Sequence, residues 1–269
     1  MTNLELLRKG GLCLPGEFAA CFAFSYHKAG STLMHNMIQE VCASSAIPAL
    51  NIPGVLFDEG VLDHEWQNDH EILEVVQDGR VYFGFRYLPE LLLRPGVCLR
   101  ERKSVLMVRD PRDALVSQYF SFGGRYHSHI LPAKNTGEFE KTWQWTSQFE
   151  IDEYVLNAAP LLLTKLRAYE RHLGTKNMML ARYEDVYFDK QRFLGAIFSH
   201  FNLAVSPVIV ERVARAHDIR PSSEDPTKHI RQGTPGDHRK KLRPETIAKL
   251  NDHFRDVCQG FGYDLDEAA

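Results

Sequence analysis

Two short stretches carry side chains that together could grip phosphate. The first runs His27-Lys28-Ala29-Gly30-Ser31-Thr32-Leu33, between an apolar run and a helical pattern. Small residues let backbone approach an anion, free amides at a helix start point toward it, and the helix dipole favours negative charge there. Lys28 adds a mobile cation, and Ser31 and Thr32 add hydroxyl donors. The nucleotide-kinase pattern GxxxxGK[ST] is missing, because here the lysine precedes the glycine. The plainer alternative is an ordinary strand–helix turn with an exposed lysine. In the second stretch Arg109 ends an apolar run and Ser117 follows two turns into a helical pattern. Arginine offers a forked, permanently charged contact to phosphate and serine a neutral donor. Alternatively, Arg109 pairs with Asp110 or Asp113 and Ser117 is a surface hydroxyl.

The elements that must position these groups are legible from periodicity. Cys21–Tyr26 reads as a buried parallel strand, and Val105–Val108 and Met178–Ala181 read as strands. Each leads through a loop into a helix. After Gly30, Leu33, Met34, Met37, Ile38 and Val41 recur at helical spacing. Asp110 suits an N-cap, Pro111 the first helical position and Asp113 the first turn. Asp189–Phe201, Pro207–His217 and Pro244–Val257 read as further helices, and Ser147–His172 as one or two long ones. Strands alternating with helices predict a three-layer α/β architecture with a mainly parallel central sheet flanked by helices. Ligands of such sheets bind at the carboxyl ends of the strands, where the chemically loaded stretches sit.

The chain has 269 residues, enough for one large α/β domain or two small ones, and we take residues 1–269 as a single domain. The formal net charge of −3 disfavours a general nucleic-acid binder but leaves room for a local anion site. The five cysteines are odd in number and form no CxxC pair, which predicts reduced, buried thiols rather than disulfides or zinc. The N-terminus lacks a signal-peptide apolar region, and no apolar run is long enough to span a bilayer, so a cytoplasmic location is expected. No HxxxH or HExxH pattern occurs, and no metal site is expected.

The motifs together resemble those of sulfotransferases that use 3′-phosphoadenosine-5′-phosphosulfate (PAPS). HKAGSTL is similar to the family's 5′-phosphosulfate loop, PKSGTTW, with His27 for proline and Leu33 for the adenine-side aromatic. RDPRDALVSQYFSF resembles RNPxDxxVSxY, matching at Arg109, Pro111, Asp113, Val116, Ser117 and Tyr119. Tyr183-Glu184-Asp185-Val186 resembles the YEDL segment. Arg231-Gln232-Gly233 and Gly236-Asp237-His238 resemble the RKGxxGDWK loop, with Gln232 for lysine and His238 for tryptophan. The resemblance implies a P-loop NTPase-like sulfotransferase fold and PAPS as co-substrate. It implies 5′-phosphosulfate contacts from residues 27–33, and 3′-phosphate contacts from Arg109, Ser117, Arg231 and Gly233. Tyr183 would approach the adenine and Lys28 would stabilise the leaving phosphate.

The family's small-molecule branch takes the acceptor proton with the histidine of a KTHLP segment. Here Phe85-Arg86-Tyr87-Leu88-Pro89 resembles that region, and Tyr87 stands at the histidine's place. A tyrosine titrating near 10 is a poor base at neutrality unless perturbed. Glu59, His64 and His127 are the other candidate bases, with Asp58, Glu65 and His129 near them. The acceptor, an alcohol, phenol, amine or carbohydrate, would be met by Asn51–His70 and Arg125–Phe149, which hold Trp66, Trp143 and Trp145. Two alternatives stay open: a kinase with a degenerate P-loop, and a catalytically silent nucleotide-binding regulator. The family's usual dimerisation segment is not evident, and the oligomeric state is left open.

Overall fold

The computed structural model describes residues 1–9, 12, 14–123, 136–173, 176–221, 223–225 and 233–265. The helices are α1 (Asn3–Lys9), α2 (Ser31–Ser44), α3 (Ile52–Asp58), α4 (Asp63–Trp66), α5 (Pro111–Phe122) and α6 (Gly137–Thr146). They continue with α7 (Ile151–His172), α8 (Tyr183–Phe188), α9 (Lys190–His200), α10 (Pro207–Ala216), α11 (His238–Lys241) and α12 (Pro244–Gly260). The strands are β1 (Cys21–Phe24), β2 (Ala49–Asn51), β3 (Val81–Phe85), β4 (Ser104–Val108) and β5 (Met178–Arg182).

Among the described residues the strands form one sheet in the order β2-β3-β1-β4-β5, with every pairing parallel. Their apolar side chains alternate between two faces, as a pleated strand requires. Phe22, Phe24, Tyr82, Leu106 and Val108 enter one core with α7 and α12, contributing Leu162, Leu166, Leu250 and Phe254. Cys21, Ala23, Val81, Phe83, Val105 and Met107 enter the other, under α2, α9 and α10, which supply Met34, Ile38, Leu194, Ile197 and Val213. Each such Leu, Ile or Phe contributes about 1.5–3 kcal/mol by leaving water. The expected three-layer parallel architecture is therefore observed.

After β1 the chain builds β2 and β3 on one side and then crosses to β4 and β5 on the other. The winding reverses around β1, and a crevice opens there at the strands' carboxyl ends. At its β3 side, Gly84 has φ +98 and a Cβ on it would lie 1.9 Å from Asn51 Oδ1. That oxygen accepts the Gly54 amide at 2.8 Å and caps α3, so glycine lets the cap and the sheet edge coexist.

Cys21, Cys42 and Cys258 are buried free thiols, as expected, with Cys21 and Cys42 pushed up to about 12 by burial. Cys98 is a correction: it is exposed, on a left-handed residue before a short 3-10 turn. Cys13 lies outside the described residues. Among the described residues no helix is long and apolar enough to cross a membrane, and no group of three His, Cys, Asp or Glu side chains could hold a metal ion.

Candidate active site

The turn after β1 is built to expose amides. Lys28 and Gly30 both have positive φ, at 67 and 86. Gly30 forms the N-cap of α2, and no side chain caps that helix. Its first-turn N–H groups lack an intrahelical acceptor, which leaves them to an anion. Glycine is required at 30, because a Cβ there would meet Tyr183 Cδ2 at 2.5 Å. Ala29 and Ser31 are buried, while His27, Lys28, Thr32 and Leu33 are half-buried. Leu33 packs against the core under α2.

The turn after β4 closes on the first. The Tyr26 hydroxyl accepts the Arg109 amide at 2.9 Å and donates to the Arg109 carbonyl. Arg109 Nη1 donates to the Lys28 carbonyl at 3.1 Å, and Lys28 Nζ donates to Ser121 Oγ at 3.2 Å. The two stretches singled out in the sequence are thus neighbours, joined through backbone and side chain. Ser117 is half-buried on α5, one turn before Ser121. Ser121 was missed by sequence reading, although it stands one turn beyond the expected serine.

Of the carboxylates beside Arg109, Asp110 is taken by Arg112 in a two-pronged pair at 2.7 and 3.0 Å. Asp113 lies 3.8 Å from Arg109 Nη2, too far for a hydrogen bond. Its oxygens instead accept the amides of Gly236 and His238 at 2.6 and 2.9 Å and His238 Nδ1 at 2.6 Å. Burial pushes the Asp113 carboxyl up, but the His238 bond and the Arg109 charge outweigh it and hold the group well below the usual range. Arg109 keeps a buried Nε with no partner among the described residues. Its guanidinium lies 4.6 Å from the centre of the Tyr183 ring, whose hydroxyl donates to the Gly233 carbonyl at 2.7 Å. Glu184 accepts the Asp110 amide at 2.9 Å. The second, third and fourth sequence pieces therefore interlock around one guanidinium. Arg231 and Gln232 lie outside the described residues, as do Arg125, His127 and His129.

On the other flank, Arg86 Nε donates to Ser31 Oγ at 3.3 Å, and burial lowers the Arg86 pKa. Tyr87 follows it, half-buried, with its ring 5.9 Å from that of Trp66. Burial and the Asp63 charge push the Tyr87 phenol far above its ordinary value, away from service as a base near neutrality. His64 is exposed and Glu59 half-buried. Phe57 and Phe139 meet edge to face at 6.0 Å, joining the two stretches expected to line an acceptor pocket. Trp66 is fully buried, whereas Trp145 is exposed and packs on Phe149 and Tyr154.

A parallel sheet with a glycine-bearing, uncapped first loop at its winding reversal is a P-loop-like α/β fold. Residues 20–262 match the model of the sulfotransferase domain, and the chain belongs to that family. Among solved structures, mouse sulfotransferase SULT7A1, complexed with PAP, superposes with TM-score 0.61 at 17% identity, covering 99% of this chain and 94% of that one. A sulfotransferase from Alicyclobacillus acidocaldarius gives 0.51 at 14% identity, covering 94% and 98%. A retinol dehydratase complexed with retinol and PAP gives 0.50 at 16%, covering 98% and 88%. At such identities the likeness speaks for the fold. No curated protein sequence matches the chain.

Proposed function

We propose that this protein transfers the sulfuryl group of PAPS to a hydroxyl or amine of an acceptor by in-line displacement. The observation that carries this reading is the joining of the β1 and β4 turns through Arg109, Lys28 and Ser121. The residues present fit a doubly phosphorylated adenosine. The glycine-led start of α2, which no side chain caps, supports the 5′ end, and Arg109, whose Nε has no partner among the described residues, supports the 3′-phosphate. PAPS, when bound, supplies the sulfuryl group and a phosphate leaving group.

Lys28, with Ser31, Thr32 and the α2 amides, would neutralise charge growing on the leaving phosphate, an electrostatic task that needs no covalent chemistry. Arg109 and Ser117 would hold the 3′-phosphate, the late loop through Gly233 would close over it, and Tyr183 would flank the adenine. The family and the PAP-complexed neighbours support this assignment.

The first test is thermal stabilisation by 3′-phosphoadenosine-5′-phosphate (PAP), against 5′-AMP and ATP with magnesium. At a hundredfold excess over Kd, PAP adds about 2.7 kcal/mol, and the other two add little. The second is turnover of labelled PAPS with 2-naphthol, 1-octanol, benzylamine and chondroitin as probe acceptors. Lys28→Ala is expected to lower kcat by at least about 10²-fold with PAP still bound; near-wild-type kcat would overturn its assignment. A silent PAP binder is the reading that Tyr87 at the histidine's place favours, and PAP binding without turnover of any probe would establish it.

A further inference from the structure

The flank of the crevice between Ser31 and α7 holds titratable groups that the assignments above leave unused. Arg86 ties the end of β3 to Ser31 of the first loop. The next residue, Tyr87, donates its hydroxyl to the Asp63 carbonyl at 3.4 Å. Tyr169 of α7 donates to the Ser25 carbonyl at 2.5 Å, which seats that helix against the first loop. One turn earlier on α7, Lys165 reaches the same neighbourhood and feels the Asp63 charge. Asp63 is half-buried at the centre of this group. Among the described residues it closes no ion pair, although Arg86 and Lys165 both act on it through space.

We infer that Asp63 is the general base that removes the acceptor's proton, an assignment that rests on the sulfuryl-transfer reading. The acceptor's O–H or N–H bond breaks and its proton passes to the Asp63 carboxylate. The freed lone pair forms the bond to sulfur, and the sulfur–oxygen bond to the 5′-phosphate breaks with its electron pair leaving on that phosphate. Asp63 touches Tyr87, which occupies the place of the family's histidine, so proton acceptance moves one contact away. A carboxylate that closes no ion pair among the described residues can turn to a substrate, with the charges of Arg86 and Lys165 nearby.

Burial raises the Asp63 carboxyl above its ordinary value, against the opposing pull of Arg86, Lys165 and the Tyr87 hydrogen bond. A higher pKa makes the carboxylate a stronger base toward the acceptor's proton. The groups facing it are Arg86 and Tyr87 beyond β3, Lys165 and Tyr169 on α7, and Trp66 on its own α4, where His64 and Glu65 are its exposed neighbours.

The test uses Asp63→Asn and Asp63→Glu in the full chain. Asp63→Asn is expected to lose about 10²–10⁴-fold in kcat with the accepting probes, while PAP still raises its Tm as in wild type. The wild-type rise of kcat with pH on the acid side is expected to vanish in Asp63→Asn and to reappear, shifted, in Asp63→Glu. A second readout needs no turnover. A raised folded-state pKa means that stability is full at low pH and is lost as pH rises through that pKa. Asp63→Asn is therefore expected to exceed wild type in Tm at pH 8, with the gap closing toward pH 4. Asp63→Asn turnover within threefold of wild type, or a Tm gap that ignores pH, overturns the assignment and leaves the sulfuryl-transfer reading standing. Failure of PAP to stabilise the wild-type chain strikes at that reading instead.

Discussion

Replacing Gly30 by alanine perturbs the point where two of the turns proposed to hold the nucleotide touch. The backbone at Gly30 has φ +86, and an L-residue there costs about 1–2 kcal/mol. The added Cβ would lie 2.5 and 2.9 Å from Tyr183 Cδ2 and Cε2 and 3.1 Å from Met107 Sδ. The Tyr183 ring must therefore yield. It is held by the Arg109 guanidinium 4.6 Å away and by its bond to the Gly233 carbonyl at 2.7 Å. Those contacts are worth about 0.5–2 and about 1 kcal/mol. Partial loss of both, added to the backbone strain, gives a destabilisation of about 2–4 kcal/mol, or a Tm lowered by about 4–8 °C. Urea denaturation measures this directly, and titration calorimetry with PAP reads the accompanying loss of affinity as Tyr183 leaves Arg109. The double-mutant cycle is the sharper test. On a Tyr183→Ala background the clash is gone, so Gly30→Ala is expected to cost only the backbone share, with a coupling of about 1–2 kcal/mol. A fully additive cycle, or a Gly30→Ala chain within 0.5 kcal/mol of wild type, would falsify the claim that this contact shapes the site.

Asp113→Asn removes a carboxylate that accepts three hydrogen bonds and faces Arg109, and a loss of about 3–5 kcal/mol is expected in urea. Its depressed pKa means that the stability it confers is present above the unfolded value near 4 and is lost as pH falls through the folded one, so the mutant's stability is expected to vary less with pH below about 5. Tyr87→Phe deletes a phenol whose pKa burial drives upward, and kcat is expected to stay within about tenfold of wild type with no change in its alkaline limb; a larger loss in steady-state turnover would restore Tyr87 as the base.

The parts of the fold that were legible in the sequence are those whose apolar runs are long and sharply ended. Cys21–Tyr26, Val105–Val108 and Met178–Ala181 sit on β1, β4 and β5, each flanked by polar or capping residues that end the run. The strands β2 and β3 escaped notice. Ala49–Asn51 is only three residues long, and VYFGF contains Gly84, a weak strand former that is kept here for the Asn51 cap. The β-branched and aromatic character of Val81–Phe85 was the available signal. Arg109 was found because it ends a strand and opens a capped helix, features that are local in sequence. Asp113 was weighed as its partner from the same local spacing, but the Lys28 carbonyl and the Tyr183 ring come from separate elements and could only be learned from packing. Asp63 was passed over for a related reason. Its short helix carries more obvious candidates in His64 and Glu65, both exposed, and only the folding of β3 and α7 around Asp63 separates it from them.

The strand order has a further consequence. Apart from the late loop, the residues proposed for the nucleotide hang from β1, β4 and β5, whereas Arg86, Tyr87 and the α3–α4 stretch hang from β3 and β2. The two sides meet beside β1, at the Ser31–Arg86 contact among others. Remodelling the outer edge at β2 could thus change which molecule is modified while the donor's seat keeps its shape. One scaffold then serves as a fixed socket joined to an exchangeable tool.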